Sequence, residues 1–453
     1  MSERASKILN ILRAEPLTAP EICSRLGISQ PTFSRELKVI NGYVVAAGKG
    51  RARRYYRKRE LRQLENEECL PIFRVKQEGQ VEKIAELFPV FPQGCFLVQD
   101  LREYKKTNQN WTFYESLPWW LADMRPQGYL GRAFARYLCD EQQELVDVDP
   151  RNWDDDTVLF VLARYPKETI GNLLIGEEAY QAWFSLQEEP SLSELEVYRR
   201  ANSDDYFGSS AQGEQPKLLA KMEQDKYIIK FSGEVSQTQV ESSANRWSDL
   251  LKAEALASEI LNEHSQGIAC ESRVFHVEKR TFLAVKRFDR IGELGRKGVI
   301  SLSSLDAEFV GKGSSSWPEI VHELANQKVV TRQAELDTQW VWAFGQLISN
   351  SDMHLGNLSV LVDEGRPYQL APIYDMLPMY FAPKANGDLP SEPRVTQINS
   401  VVSKESWQVA FELAVSYWQR VLACDEISTH FKVVAELQLQ QVETFASAIE
   451  RMA

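Results

Sequence analysis

Several common classes of protein are excluded by what this chain lacks. It contains no apolar run approaching the ~18 residues that cross a bilayer. Its start, MSERASKILN, lacks the apolar stretch of a secretory signal, so the expected location is the cytoplasm, with no membrane partner. Histidines are few (His264, His276, His322, His354 and His430) and form no HExxH. The six cysteines, Cys23, Cys69, Cys95, Cys139, Cys270 and Cys424, lie far apart with no CxxC. A structural zinc site and a disulfide framework are therefore excluded, and reduced thiols in cores are expected. There is no GxGxxG, no Walker A motif, no internal repeat and no low-complexity segment. What remains is ordinary globular composition, 43% hydrophobic and 26% charged over 453 residues, enough for two to four domains. The eleven tryptophans are expected in the cores.

Charge divides the chain. Residues 1–60 carry 13 basic and 5 acidic side chains, whereas the remaining 393 carry 39 basic and 59 acidic. A small basic head on an acidic body predicts a nucleic-acid module joined to something else. The acidic body would be repelled by phosphate backbones, so double-stranded DNA should meet the head alone.

The head has the pattern of a winged helix-turn-helix. Residues 3–14 place Ile8, Leu9, Ile11 and Leu12 at helical spacing. Thr18 can cap a second helix with Pro20 in its first turn, and Gly27 supplies the positive φ that ends it. Ser29 can cap a third helix. Ile22, Leu26, Ile28, Phe33, Leu37 and Ile40 would face the shared core. The third helix would expose Gln30, Thr32, Ser34, Arg35 and Lys38 to base edges and phosphates. GYVVAAGKGRARRYYRK then predicts a hairpin, with seven Lys or Arg among residues 49–59. Lys49, Arg51, Arg53 and Arg54 are its candidate DNA contacts. A winged fold used only for protein contacts is the bland alternative. A dimer on a partly palindromic site is the expected mode of binding.

Residues 60–70 are expected to form a short linking helix. Residues 71–200 show no clear periodicity: PIFRVKQEG and CFLVQDLREYK look like strands, while DDTVLFVLARYP and QAWFSLQEE are ambiguous. A Gly/Ser-rich loop within 201–216 precedes the strand KYIIKF. Residues 244–264 are strongly helical, and FLAVKRFDR is a strand. From 318 onward helices dominate, apart from a loop between 349 and 378.

That loop carries the chemistry. Asp352 is followed five residues later by Asn357, and eighteen residues beyond by Asp375, with strand-like LSVLV and YQLAPIYD between them. D-x-x-x-x-N followed by a second Asp is how kinases arrange phosphoryl transfer. The first Asp accepts the proton of the acceptor hydroxyl or orients that hydroxyl, and Asn and the second Asp offer hard oxygens to Mg²⁺. Lys230, within KYIIKF, could hold ATP phosphates, or could be an edge lysine facing water. His354 reads as a hydrogen-bonded loop histidine rather than a proton carrier.

SSAQGEQPK, KYIIKFS, LAVKRFDR, LISNSDMHLGNLSV and PIYDMLP, in this order, resemble the signature segments of the HipA family of serine/threonine kinase toxins. The likeness is specific over residues 200–380 and looser over 70–200 and 380–453. With its helix-turn-helix in front, the layout is similar to the fused type of that family. The resemblance implies Asp352 as the catalytic aspartate and Asn357 and Asp375 as ligands of Mg²⁺. ATP would be bound by Lys230, by Gly213, Gln215 and Lys217 of a phosphate loop, and by Arg287 and Phe288 near the adenine hinge. Ser210, with Ser209 adjacent, matches the serine whose autophosphorylation ejects that loop. A HipB-like antitoxin and a translation-associated protein substrate are the implied partners. The sequence departs from the family at Asn245-Arg246, where Asn-Glu is common, and at Lys286, where Glu is frequent. The carboxylate that pairs the lysine is then Glu241, Glu254 or absent.

The expected fold class is α+β: a winged helix-turn-helix (1–62), an N-terminal subdomain (63–200), a kinase small lobe (201–295) and a helical large lobe (296–453). The expected function is a DNA-bound, HipA-like Ser/Thr kinase, with location on the nucleoid when so bound. Two alternatives stand beside it. One is a regulator with a nucleotide-sensing but weakly active body, which Arg246 and Lys286 favour. The other is a Mg²⁺-dependent DNA-cleaving toxin built on Asp352 and Asp375.

Overall fold

The computed structural model describes all residues except 62–63, 65–68, 103–109, 166–168, 186–188, 203–214, 237, 239–240, 364 and 453. The chain divides into two compact units, one of residues 1–126 and 135–187, the other of residues 127–134 and 188–453.

The first unit opens with α1 (Glu3–Ile11), β1 (Leu17–Thr18), α2 (Ala19–Leu26), α3 (Gln30–Val39), β2 (Val44–Ala47) and β3 (Arg54–Arg57). Thr18 and Glu21 form a reciprocal capping box at the start of α2, and Gly27 ends that helix at φ 62°. The Ser29 side chain accepts from Thr32 N to start α3. Ile22, Phe33 and Ile40 join Ile8, Leu12 and Tyr55 in one core, with Leu26, Ile28 and Leu37 packed on its margin. The strands pair antiparallel in the order β1-β3-β2, which completes the winged helix.

The linking helix expected at 60–70 falls largely outside the described residues, and Leu70 already belongs to a strand. A five-stranded antiparallel sheet follows, from β4 (Leu70–Val75), β5 (Val81–Val90), β6 (Cys95–Asp100), β7 (Trp111–Tyr114) and, later, β8 (Leu173–Ile175). Its order is β7-β6-β5-β4-β8. In chain order α4 (Gly128–Asp140) and α5 (Asp155–Arg164) precede β8 and α6 (Glu177–Phe184) follows it, and α5 and α6 pack on it. DDTVLFVLARYP is thus a helix. Val158 through Ala163 are all buried, and a helix buried all round shows no apolar stripe.

The winged helix is packed onto this sheet. Val45, Ala47 and Tyr56 share a core cluster with Val90, Cys95 and Leu97. Beside it the Arg59 guanidinium binds both oxygens of Asp156, Nη2 to Oδ1 at 2.7 Å, and lies over the Phe96 ring. The Arg59 side chain is 3% exposed, so removing either partner strands a buried charge, at a cost of about 3–5 kcal/mol.

The second unit is bilobal. Its small lobe contains α7 (Glu194–Ala201), β9 (Lys217–Met222), β10 (Asp225–Phe231), α8 (Ser243–His264), β11 (Ser272–Val277) and β12 (Arg280–Lys286). The sheet order is β11-β12-β10-β9, all antiparallel. Val197 and Ala201 of α7 pack on one face, against Ile229, Phe231 and Phe282. Leu251 and Ala255 of α8 pack against Leu283 on the other.

A short pair comes next, β13 (Arg290–Ile291) with β14 (Gly295–Arg296), followed by β15 (Val299–Ser301), which leads into α9 (Leu302–Phe309). The helical lobe adds α10 (Trp317–Asn326), α11 (Arg332–Leu347), β16 (Ser359–Leu361), β17 (Gln369–Leu370), α12 (Lys404–Ala423), α13 (Thr429–Thr444) and α14 (Ala446–Glu450). YQLAPIYD is less of a strand than its composition promises. Only Gln369–Leu370 pair with β16, and Pro372 has no N–H with which to continue the ladder. No helix among the described residues is long and apolar enough to cross a membrane.

Candidate active site

The site is assembled from the central strand β10, the helix α8 and the loop that follows α11. Lys230 is paired on both sides, to Leu283 of β12 and Lys217 of β9, so it is an interior-strand lysine and not an edge residue. Its ammonium meets Glu254 of α8, Nζ to Oε1 at 2.6 Å and Oε2 at 2.8 Å, and Asp375, Nζ to Oδ1 at 2.6 Å. The pairing carboxylate is therefore Glu254. Glu241 is instead beside His430.

Burial disfavours the lysine's charge, but the two carboxylates outweigh it and hold the ammonium above the ordinary lysine range. One ammonium cannot neutralise two carboxylates. Against the penalty of burial, Lys230 and Lys217 pull Asp375 down to about 2. The more deeply enclosed Glu254 is pushed up by burial and by the charge of Asp375.

Helix α11 delivers the loop of Asp352 and Asn357. Asn350 N donates to Gly345 O at 2.8 Å and Ser349 N to Gln346 O at 3.2 Å, with Ser349 at φ 64°. This is a left-handed helix terminus that throws the chain sharply out of α11. Asn350, which the sequence reading passed over, then ties the loop together. Its Oδ1 accepts from Asp352 N at 3.0 Å, and its Nδ2 donates to Asp375 O at 3.2 Å. Asp375 itself has φ 54°, a left-handed conformation that Asp tolerates better than most residues. Asn357 Nδ2 donates to Asp352 O at 2.8 Å, which leaves Oδ1 as the acceptor end of its amide. His354 Nδ1 accepts from Gly356 N at 3.0 Å, and Trp317 Nε1 donates to His354 O at 2.9 Å. His354 is thus a hydrogen-bonded loop residue, with Nε2 3.9 Å from Asp352 Oδ1. Burial and the nearby Asp375 raise the Asp352 carboxyl, and His354 opposes them.

Other candidates divide. Gln215 Nε2 donates to Phe231 O at 2.8 Å, one residue beyond Lys230. Phe288 stacks on Tyr374 with centroids 6.2 Å apart. Arg287 is buried, its guanidinium engages Asp289, and its backbone N–H donates to Lys226 O at 2.8 Å. Gly213, Ser209 and Ser210 lie outside the described residues. The two departures face elsewhere: Lys286 pairs with Asp225 and Glu271, and Arg246 holds backbone carbonyls on the far stretch of α8.

In the head, Gln30, Ser34, Arg35 and Lys38 of α3 are exposed and Thr32 is half-buried. Lys49, Arg51, Arg53 and Arg54 are exposed on the wing, where Arg54 Nη1 also donates to Pro16 O at 2.9 Å.

Residues 209–451 match the family model described as the HipA-like C-terminal domain. Residues 66–184 match the YjjJ-like toxin middle domain, and residues 2–42 the arsR family of bacterial regulatory proteins. Toxin YjjJ of Escherichia coli (strain K12) is 38% identical over 459 residues, covering 99% of both chains. The chain belongs to the YjjJ-like toxins of the HipA family. Among solved structures, a chain of the Shewanella oneidensis MR-1 complex of HipA, HipB and operator DNA aligns at TM-score 0.52. It covers 84% of this chain and 98% of its own at 13% identity, a likeness of fold. In this HipA-like frame, Lys230, Glu254, Asp352, Asn357 and Asp375 converge within one unit, while the helix-turn-helix belongs to the other.

Proposed function

We propose that this HipA-like toxin is an ATP-dependent Ser/Thr protein kinase carried on a DNA-binding head. The observation that carries the reading is Lys230 bonded to both Glu254 and Asp375, with Asp375 tied through Asn350 to the loop of Asp352 and Asn357. A lysine held by a helix carboxylate, beside an Asp–Asn–Asp set, is the apparatus of phosphoryl transfer.

The donor set fits Mg²⁺. Among the described residues no three His, Cys, Asp or Glu form a metal cluster. An Asp and an Asn oxygen that share the ion with phosphates and waters is the usual manner of holding it. Asn357 and Asp375 would be its ligands, and the ion when bound would neutralise charge on the transferring phosphoryl group. Lys230, Lys217 and the loop through Gly213 and Gln215 would hold the ATP phosphates, with Arg287 and Phe288 lining the adenine end. Asp352 would accept a hydrogen bond from the acceptor hydroxyl and orient it for attack. Ser210 or Ser209 would be the self-modified residue.

Gln30, Thr32, Ser34, Arg35 and Lys38 would read a major groove, and the basic wing would follow the backbone. The two residues that favoured a non-catalytic body, Arg246 and Lys286, are engaged away from the Lys230 cluster. The HipA of the Shewanella complex is joined by HipB and operator DNA. A comparable antitoxin is the proposed partner here.

The test is incubation of purified protein with Mg²⁺ and labelled ATP, followed by phosphosite mapping, with Asp352→Ala in parallel. The expected result is label on Ser210 or Ser209 that vanishes in the variant. Protein that binds ATP yet acquires no label would sink the proposal.

A further inference from the structure

Away from the Lys230 cluster, the small lobe holds a cavity of about 660 Å³ between the segment 234–238, helix α8 and the β11–β12 hairpin. Its floor is buried and polar. Ser248 and Lys252 stand one turn apart on α8, and Arg280 and Thr281 come from β12. Two residues along a helix lie on nearly opposite sides, so Lys252 faces this cavity while Glu254 faces Lys230. The Ser248 and Thr281 hydroxyls share a hydrogen bond of 2.7 Å, and His276 Nδ1 lies 3.2 Å from Thr281 Oγ1. Among the described residues that line the cavity, only Val235 is apolar.

Lys252 is the residue that the fold leaves unfinished. It is 9% exposed, yet its ammonium makes one hydrogen bond, to Glu426 O at 2.6 Å, and no ion pair among the described residues. An ammonium has three donors, so two remain for the cavity. The neighbouring carboxylate on α8, Asp249, is taken by Ser428, whose N donates to Oδ1 at 2.9 Å and whose Oγ donates to Oδ2 at 2.6 Å. Burial pushes the Lys252 ammonium below the ordinary lysine range. A buried cation with unfilled donors is costly unless an anion meets it, and the floor hydroxyls can donate to the same anion. The cavity also has more room than a phosphate ion fills and lies in the size range of small-molecule sites. Most such sites are apolar. This one has no Phe, Tyr or Trp among its described lining residues on which a nucleobase could stack. Its rim carries Glu234 and Glu278 instead, whose carboxylates accept from hydroxyl groups.

We infer that this cavity binds a small phosphorylated polyol such as a sugar phosphate, with Lys252 on the phosphate and the rim carboxylates on the hydroxyls. The site is separate from the proposed nucleotide cleft and stands whether or not the chain is a kinase. The probe is glucose 6-phosphate, titrated calorimetrically into the full chain beside inorganic phosphate, glucose and a phosphoserine peptide. Glucose 6-phosphate should bind at least about tenfold more tightly than inorganic phosphate or the peptide, and glucose alone should give no heat. Amide exchange should slow within residues 276–281 when it binds. Lys252→Met removes a charged donor and should weaken binding about tenfold or more, and Ser248→Ala should weaken it about threefold. Lys217→Ala, in the nucleotide cleft, should leave it within about twofold. Because the Lys252 charge is poorly compensated, Lys252→Met should melt no lower than wild type, so that lost binding is not lost folding. Binding that survives Lys252→Met, or that falls with Lys217→Ala, would place the ligand elsewhere and overturn the site. A lower melting temperature for Lys252→Met would make the lysine structural and overturn its role as an unfilled cation. Inorganic phosphate that binds as tightly as glucose 6-phosphate would overturn the polyol class, and a tighter phosphoserine peptide would replace it with a phosphorylated protein segment. No heat from any probe at millimolar concentration would sink the inference.

Discussion

Replacing Lys230 with methionine tests the centre of the site without reference to any substrate. The side chain keeps its length and loses three bonds, two to Glu254 and one to Asp375. Two carboxylates then face one another without the ammonium that bonded both. The Glu254 side chain is 3% exposed and cannot turn to water, whereas that of Asp375 is 32% exposed and can. Stranding a buried charge in this way costs about 3–5 kcal/mol. In a domain of this size that is a fall in melting temperature of roughly 6–20 °C.

The pH dependence has a defined sign. In the wild type the raised Lys230 contributes stability that is complete below the unfolded lysine value of about 10.4 and is lost as pH rises from there through the folded value. The lowered Asp375 contributes stability that is complete above about 3.9 and is lost as pH falls toward about 2. In the variant Glu254 can escape only by taking up a proton, so the deficit should be smaller at pH 5 than at pH 8. Adding Glu254→Gln should restore more than half of the loss, a coupling of about 2–3 kcal/mol. Thermal unfolding of the full chain at both pH values is the assay. A Lys230→Met melt within 2 °C of wild type, or strict additivity of the two substitutions, would refute the three-way pairing.

Three further outcomes are expected. Asp352→Asn should abolish phosphoryl transfer while Mg²⁺-ATP binding persists, and the acid limb of the wild-type pH profile should lie above the ordinary aspartate value, because Asp352 must be ionised and its carboxyl is raised. A limb at or below that value would contradict the burial of this carboxyl. Asp156→Asn should destabilise the first unit by about 3 kcal/mol and speed amide exchange in β2 and β3, since it leaves Arg59 buried without its counter-charge. Exchange unchanged in the wing would show that the ion pair does not hold the head. Arg35→Ala and Lys38→Ala should each weaken DNA binding and lower the salt slope of log Kd by about one. Binding insensitive to both would remove α3 from the interface.

Some of this architecture was legible because its signals are local. Thr18, Gly27 and Ser29 act within four residues of themselves, and the structure puts each at the predicted cap or terminus. The D-x-x-x-x-N loop and the strand of Lys230 were likewise readable from spacing. The partner of Lys230 was not. Helix α8 carries Asp249, Glu254, Glu259 and Glu263, and only the docking of the helix on the sheet selects Glu254. Asn350 was missed because its amide joins Asp352 to Asp375, twenty-three residues apart, a relation with no trace in local pattern. The middle sheet was legible in part, since PIFRVKQEG and CFLVQDLREYK read as strands and are β4 and β6. The helix beside it was not, because Val158 to Ala163 are all buried and α5 has no apolar stripe to detect.

The packing of the wing against the five-stranded sheet has a consequence for geometry along a duplex. A head hung on a flexible linker is indifferent to helical phase. Here the sheet is fastened to the head by the Val45–Leu97 cluster and the Arg59–Asp156 pair, so its bearing follows the groove that the head enters. Moving the bound site by about 5 bp would carry the sheet to the opposite side of the DNA, and moving it by about 10 bp would bring it back. Anything that must meet that sheet while the head is bound would then depend on spacing with the period of the double helix.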